Sequence, residues 1–254
     1  MNSFLTFFNK EWIELYRSKR LYVLLGIFML FGMVSPILTR YMSEIVSSSM
    51  GSSVSIVFST PVWSDSWKQF YNNLSQMGGI SVLLLFLGSV CGEKQSKTAE
   101  LTLTKNLSPA KFIIAKFTAA ASMVALVFLP AVLLCWGYTY YLFGYAGKLE
   151  NILIGAFLYV IFLAVELSFV MLASTIAKTT SFSAILSFAG YLLLILSGYL
   201  PKVGFMMPGT MLSSIMLVIV QGNLIHLFLH TVIACALSAL FISISITVLK
   251  VQEL

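Results

Sequence analysis

Long apolar runs alternate along this chain with short polar breaks, and each run is continuous rather than alternating residue by residue. A helix needs about 20 apolar residues to cross a bilayer, whereas barrel strands would alternate apolar and polar over about ten. The pattern therefore predicts an all-α integral membrane protein, a single transmembrane domain over 1–254. Its six spans are expected at 21–38, 77–91, 112–143, 152–176, 182–200 and 224–249. Ahead of them, in 3–20, Phe4, Phe8, Trp12 and Leu15 or Tyr16 recur at helical spacing, with Lys10, Glu14 and Arg17 elsewhere on the wheel. Ser3 stands where a helix cap would. This predicts an amphipathic helix, either lying in the membrane interface or packed on a partner.

Between the first two spans, 39–76 reads as polar, with the serine tract 47–55 and the aromatics Trp63 and Trp67. The second span is short, with Gly88 and Gly92 four apart, a spacing that allows close helix approach. The third holds Pro130, expected to kink it, and ends in an aromatic belt of Trp136, Tyr138, Tyr140 and Tyr141. Near the C-terminus, 211–220 is apolar between Pro208-Gly209 and Gln221-Gly222-Asn223. Ten residues make about 15 Å of helix, too little for a span. The segment is expected as a re-entrant or interfacial element on the outer side, a seventh span being the alternative.

Composition sharpens this picture. Hydrophobic residues make up 59% of the 254 positions and charged residues 9%, against about 25% charged in soluble domains; the mean hydropathy is +0.96. The net charge of +6 sits beside the apolar runs, as the orientation rule for membrane helices requires, rather than in a nucleic-acid-binding patch. With six spans, 11 of the 15 lysines and arginines fall on the side of the termini. Arg40, Lys68, Lys148 and Lys202 fall on the other. Both termini are expected in the cytoplasm of a plasma-membrane protein. No small-x-small site closes the first run near Pro36-Ile37-Leu38, so that helix is expected to remain as an anchor.

Catalytic constellations are scarce. No window matches the phosphate-binding pattern G-x-x-x-x-G-K-[ST], and no His-Glu-x-x-His occurs. Ser197-Gly198 lacks the glycine that precedes serine-nucleophile motifs. His226 and His230, four apart, fall short of the three or four ligands of a zinc site. Cys91, Cys135 and Cys235 lie in apolar runs and read as core residues. The chain is expected to be no enzyme, with no metal and no cofactor of its own. Two features remain. The stretch Gly92–Lys116 concentrates seven of the 24 charged groups: Glu93, Lys94, Lys97, Glu100, Lys105, Lys111 and Lys116. Glu166 is the ionisable group nearest the middle of a span, where a carboxyl must find a partner or an aqueous path. It reads either as helix glue, bonded to a residue such as Ser168 or Thr175, or as part of a transport path.

These pieces resemble the membrane subunit, or permease, of ABC-2-type ABC transporters. The resemblance is carried by 9–20, NKEWIELYRSKR, by the loop opening at Glu93, and by its ending Leu107-Ser108-Pro109-Ala110-Lys111-Phe112. Lys97-Thr98 stands where the family has a glycine-threonine pair, and 108–111 approximates the family's proline-serine-arginine ending. The resemblance implies a permease pairing with a second copy, homo- or heterodimeric, and a separate cytoplasmic ATPase that binds the ATP and Mg. It implies an elbow helix carrying Lys10, Glu11, Trp12 and Arg17. The loop 93–111 would be a coupling helix, with Leu101 and Leu103 as contacts within Glu93, Lys97, Thr98, Glu100 and Lys105. It further implies export of an amphipathic cargo, peptide or lipid-like, between subunits along the first, second and fifth spans. The rival is a stand-alone secondary carrier or a membrane accessory protein without an ATPase.

Overall fold

The computed structural model describes residues 3–50, 60–104, 107–200, 207–223 and 227–252. Among these the secondary structure is helical, without a strand: α1 (Ser3–Arg17), α2 (Arg20–Met50), α3 (Trp63–Asn73), α4 (Gly79–Phe86), α5 (Cys91–Gln95), α6 (Thr98–Thr104), α7 (Pro109–Phe143), α8 (Leu149–Ile176), α9 (Thr180–Leu196), α10 (Met211–Gln221) and α11 (Leu227–Val251). Six runs are long and apolar enough to cross a membrane: Arg20–Met42, Trp63–Gln95, Pro109–Phe143, Leu149–Ile176, Thr180–Tyr199 and Phe228–Val251. The all-α membrane fold expected from the apolar runs is the fold observed.

The second span begins well before residue 77, because the stretch ahead of it is only half polar. In α3 the side chains of Trp67, Phe70 and Tyr71 are buried, while Lys68 and Asn72 face outward. Trp67 donates its indole N–H to the Ala146 carbonyl at 2.9 Å. Phe70 stacks on Phe128 (centroids 6.2 Å) and Tyr71 meets Tyr159 edge-on (5.3 Å). A π-helical turn, Leu74–Gly78, then joins α3 to α4. One extra residue per turn rotates the helix face, which brings the glycines 78 and 79 against Phe28 and Tyr191.

The core is an aromatic cluster around Phe28, Trp67, Phe70, Tyr71, Phe128, Tyr159 and Phe162. Helix α2 packs chiefly on α7, and both α10 and α11 pack on α8. Gly32 makes the first contact possible: a Cβ there would stand 2.7 Å from the Ala131 carbonyl oxygen. Helix α7 starts with Ser108 as cap and Pro109 in its first turn, continues through Pro130, and stops at Gly144 in the left-handed conformation (φ 72°). Helix α10 is too short to cross, and it lies in the end of the bundle away from the charged loop. There Gly155 of α8 accommodates Ile215 and Ile219, and Gly222 (φ 67°) ends the helix beside Asn151.

Candidate functional site

At the other end of the bundle the charged loop is neither a loop nor detached. After the second span the chain turns through Leu87–Val90, and the amides of Val90 and Cys91 are received by the Ser174 hydroxyl oxygen at 3.1 and 2.9 Å. Lys94 donates to the Thr175 carbonyl and to the Gln252 side chain (3.0 Å), and Gln95 donates to the Lys178 carbonyl (3.2 Å). The end of the second span is thereby tied to the ends of the fourth and last. Lys97, at φ 58°, is the corner between α5 and α6. The Thr98 hydroxyl lies 2.9 Å from that of Ser96 and donates to the Glu93 carbonyl at 3.3 Å. Ala99 anchors α6 in a small apolar cluster with Phe7, Val90, Phe112 and Leu249, while Glu100 is half-buried. The side chains of Leu101 and Leu103, and Lys105 altogether, lie outside the described residues, as do His226 and the segment 201–206.

The centre of this region is an ionic node joining three elements that lie far apart in sequence. Lys116, buried in the second turn of α7, donates to Glu11 of α1 at 2.8 Å and to Glu93 of α5 at 2.9 Å. Lys10 reaches Glu11 (3.0 Å), Glu14 (2.9 Å) and Glu93 (3.1 Å). The Lys116 ammonium also lies over the rings of Phe112 (5.1 Å) and Phe7 (5.8 Å), a cation–π arrangement. Carboxylate oxygens of Glu11, Glu14 and Glu93 lie within 4.8 Å of one another. The two ammonium groups between them supply the countercharge. Burial pushes the Glu14 carboxyl upward, but its hydrogen bond from Lys10, together with the positive charges of Lys10, Lys116 and Arg20, outweighs this and holds it below the usual carboxylate range. Burial likewise opposes the Lys10 charge, yet its bond to Glu14, with the fields of Glu11 and Glu93, raises it above the usual lysine range.

Helix α1 sits at this node, but rotated from the face its spacing suggests. The buried positions are Phe7, Glu11 and Leu15, with Phe4, Phe8 and Trp12 half-buried beside them; Tyr16 is exposed. Lys116 outweighs the aromatic stripe because a buried ammonium requires a carboxylate, and Glu11 can only meet it from this orientation. Leu5, Ile13 and Tyr16 then form a second, exposed apolar face, and Arg17 is exposed in the last turn. Sequence reasoning singled out Lys10, Glu11 and Glu93 separately and missed that Lys116 unites them. The signal was a lysine inside the apolar run of α7.

Glu166 lies apart, inside the fourth span. It is buried, and neither carboxylate oxygen has a hydrogen-bond partner among the described residues. The pairing expected with Ser168 or Thr175 is not made: those hydroxyls donate to the carbonyls of Val165 (2.7 Å) and Met171 (2.8 Å) on their own helix. Such back-bonding is the default for a hydroxyl in an apolar helix, where the preceding turn is always within reach. Tyr159 and Tyr191 lie within reach of Glu166's charge, and their hydroxyls, like that of Tyr71, have no hydrogen-bond partner among the described residues.

Six long apolar helices, a shorter apolar one and charged helices gathered at one end, among the described residues, define a multi-pass membrane protein. Residues 5–221 match the profile of the family described as "ABC-2 family transporter protein". The chain belongs to the ABC-2 transporter family. A relative in Bacillus subtilis (strain 168), "Uncharacterized transmembrane protein YxlG", is 24% identical over 119 residues. That match spans 46% of each chain, so it covers about half the length of the relative. Members of the family generally work in a lipid membrane with an ATPase subunit.

Proposed function

We propose that this chain is the permease half of an ATP-driven exporter, with α5 and α6 as the element that docks on a separate cytoplasmic ATPase and α1 as the elbow helix. One observation carries the reading. The node of Lys116 with Glu11 and Glu93 fastens α1, the end of the second span and the start of the third into one body. A displacement applied to α6 therefore moves two spans and the interface helix together. This is the rigid-body coupling an ATP-driven permease needs, and it requires no chemistry in this chain. The excess of basic residues on this side supports cytoplasmic termini. Two permease copies would face each other through the first and fifth spans, and the cargo would be amphipathic, peptide or lipid-like.

The test is purification in mild detergent from the native membrane, with partners identified by mass spectrometry. The expected result is a soluble P-loop ATPase at one copy per chain, whose ATP hydrolysis is stimulated by the wild type. The paired substitution Glu100→Lys and Leu101→Asp should abolish stimulation without loss of membrane insertion. Undiminished stimulation by that variant would remove the docking assignment.

Glu166 favours a second reading, an ion-driven carrier working without an ATPase, because an unpartnered carboxyl facing tyrosine hydroxyls inside a span is what a coupling ion would use. Transport into vesicles separates the two. Dependence on ATP with Glu166→Gln tolerated supports the exporter. Transport indifferent to ATP and lost in Glu166→Gln supports the carrier.

A further inference from the structure

A cavity of about 590 Å³ opens beside the ionic node, between α1, the start of α2, the end of the second span and α6. Six charged groups line it: Lys10, Arg20 and Lys116 against Glu11, Glu14 and Glu93. Lys10 and Lys116 make all five ion pairs found among the described residues. Arg20 makes none of them, although Glu14 is near enough to feel its charge. The left-handed corner at Lys19 (φ 62°) sets Arg20 at the first turn of α2, on the cavity wall. The Ser89 hydroxyl, also in the wall, has no hydrogen-bond partner among the described residues. The rest of the lining includes Leu15, Phe86, Ala120 and Met171, whose side chains are almost wholly buried in the core.

Position identifies the kind of occupant. Arg20 begins the first span, Ser89 and Glu93 stand near the end of the second, Lys116 near the start of the third and Met171 near the end of the fourth. The cavity is therefore at headgroup depth, with charged groups and hydroxyls at the ends of the apolar spans. A guanidinium offers a fork of donors that matches a phosphate. With three positive and three negative groups in the lining, a zwitterionic headgroup fits better than one of net negative charge. Its phosphate meets Arg20, and its amine meets Glu14, which is half-exposed and has one ammonium partner.

We infer that this cavity is a binding site for a zwitterionic phospholipid headgroup of the phosphoethanolamine kind, with Arg20 and Ser89 holding the phosphate and Glu14 the amine. The bound lipid is a filling piece in the joint between α1 and the α5–α6 element.

The full chain, purified and delipidated in detergent, is titrated with short-chain phosphatidylethanolamine while thermal unfolding is followed. The expected result is a saturable rise in Tm. Arg20→Gln should weaken the apparent affinity by about tenfold or more, as loss of a charge-assisted phosphate contact does. Arg20→Lys should retain part of it, and Lys148→Gln, at the opposite end, all of it. An equal rise with inorganic phosphate would replace the lipid by a free anion. A larger rise with phosphatidylglycerol would overturn the zwitterionic assignment, and an unchanged affinity in Arg20→Gln would overturn the site. Photoreactive phosphatidylethanolamine added to wild-type membranes gives a readout that needs no variant. It should label the peptides around 15–20 and 86–93. Labelling elsewhere only, as when a protein partner fills the cavity, would refute the inference.

Discussion

At the scale of single residues, Lys116 is the side chain on which most depends. A buried ammonium is tolerated only with its countercharges in place, and removing one partner of a buried pair costs about 3–5 kcal/mol, because the remaining charge stays desolvated and uncompensated. Lys116→Met should therefore lower stability by about 3 kcal/mol, seen as a reduced Tm in detergent. Adding Glu11→Leu should recover much of the loss, since an apolar pair of similar volume replaces an ion pair with little penalty. If the double variant is no more stable than the single one, the node does not hold α1 in the way described. Glu166 is the opposite case, a buried carboxyl without a partner among the described residues. Glu166→Gln should leave expression and Tm nearly unchanged, whereas Glu166→Lys, which adds a longer charged chain beside Tyr159 and Tyr191, should prevent accumulation of folded protein.

At the scale of elements, helix α1 and the α2–α7 crossing make separable predictions. The Lys10–Glu14 bridge is half-exposed, so its contribution is small, but its sign is clear. Glu14 is held below its ordinary value, so its contribution is present above about pH 4.3 and fades as pH falls through the lowered value. Lys10 is held above its ordinary value, so its contribution is complete below about pH 10.4 and is lost as pH rises through the raised one. Opening free energies for α1 from hydrogen exchange, corrected for the intrinsic pH dependence, should thus be level between about pH 5 and 10 and decline on either side. The α2–α7 crossing depends on Gly32, where a Cβ would strike the backbone of Ala131; at Gly26, on the same helix, a Cβ meets nothing within 4 Å. Gly32→Ala should cost about 1–3 kcal/mol, the usual penalty of overpacking, while Gly26→Ala should be neutral or slightly stabilising. Equal melting temperatures for the two would contradict the close approach.

At the scale of the molecule, burial is uneven in a way that bears on assembly. The fourth span is the most enclosed, while the first, the fifth and the last leave most of their surface uncovered. On α9 the uncovered side carries Phe182, Ile185, Phe188, Leu192 and Leu193. The two-copy reading predicts that Leu193→Cys forms a disulfide-linked dimer in native membranes, whereas the wild type, whose Cys235 is exposed on α11, does not. Monomer from both would place lipid rather than a second copy on the fifth span.

How much of this was legible in the sequence follows from the range over which each feature acts. Span number, helical class, the amphipathic N-terminal helix and the shortfall of 211–220 are properties of neighbouring residues: continuous apolar length against bilayer thickness, and spacing at 3.6 residues per turn. They could be read directly, and the family resemblance rested on equally local stretches. Other features depend on what lies across the bundle. Residues 63–76 look polar in sequence because half of their side chains are, and only the packing of α3 against α2, α7 and α10 determines that Trp67, Phe70 and Tyr71 turn inward. The burial of Glu11 at the centre of the inward face of α1 could not be read, because the attraction that orients it, Lys116 for Glu11, acts over 105 positions of chain. The spacing of Phe4, Phe8 and Trp12 could not weigh a buried charge against an aromatic stripe. Ser168 and Thr175 were close to Glu166 in sequence, yet each hydroxyl found a carbonyl in its own preceding turn. The sequence by itself determined that this chain enters the membrane through several long helical spans, because transfer into lipid is summed over local segments. Only the tertiary structure decided which charges meet, because an ion pair depends on distance in space rather than along the chain.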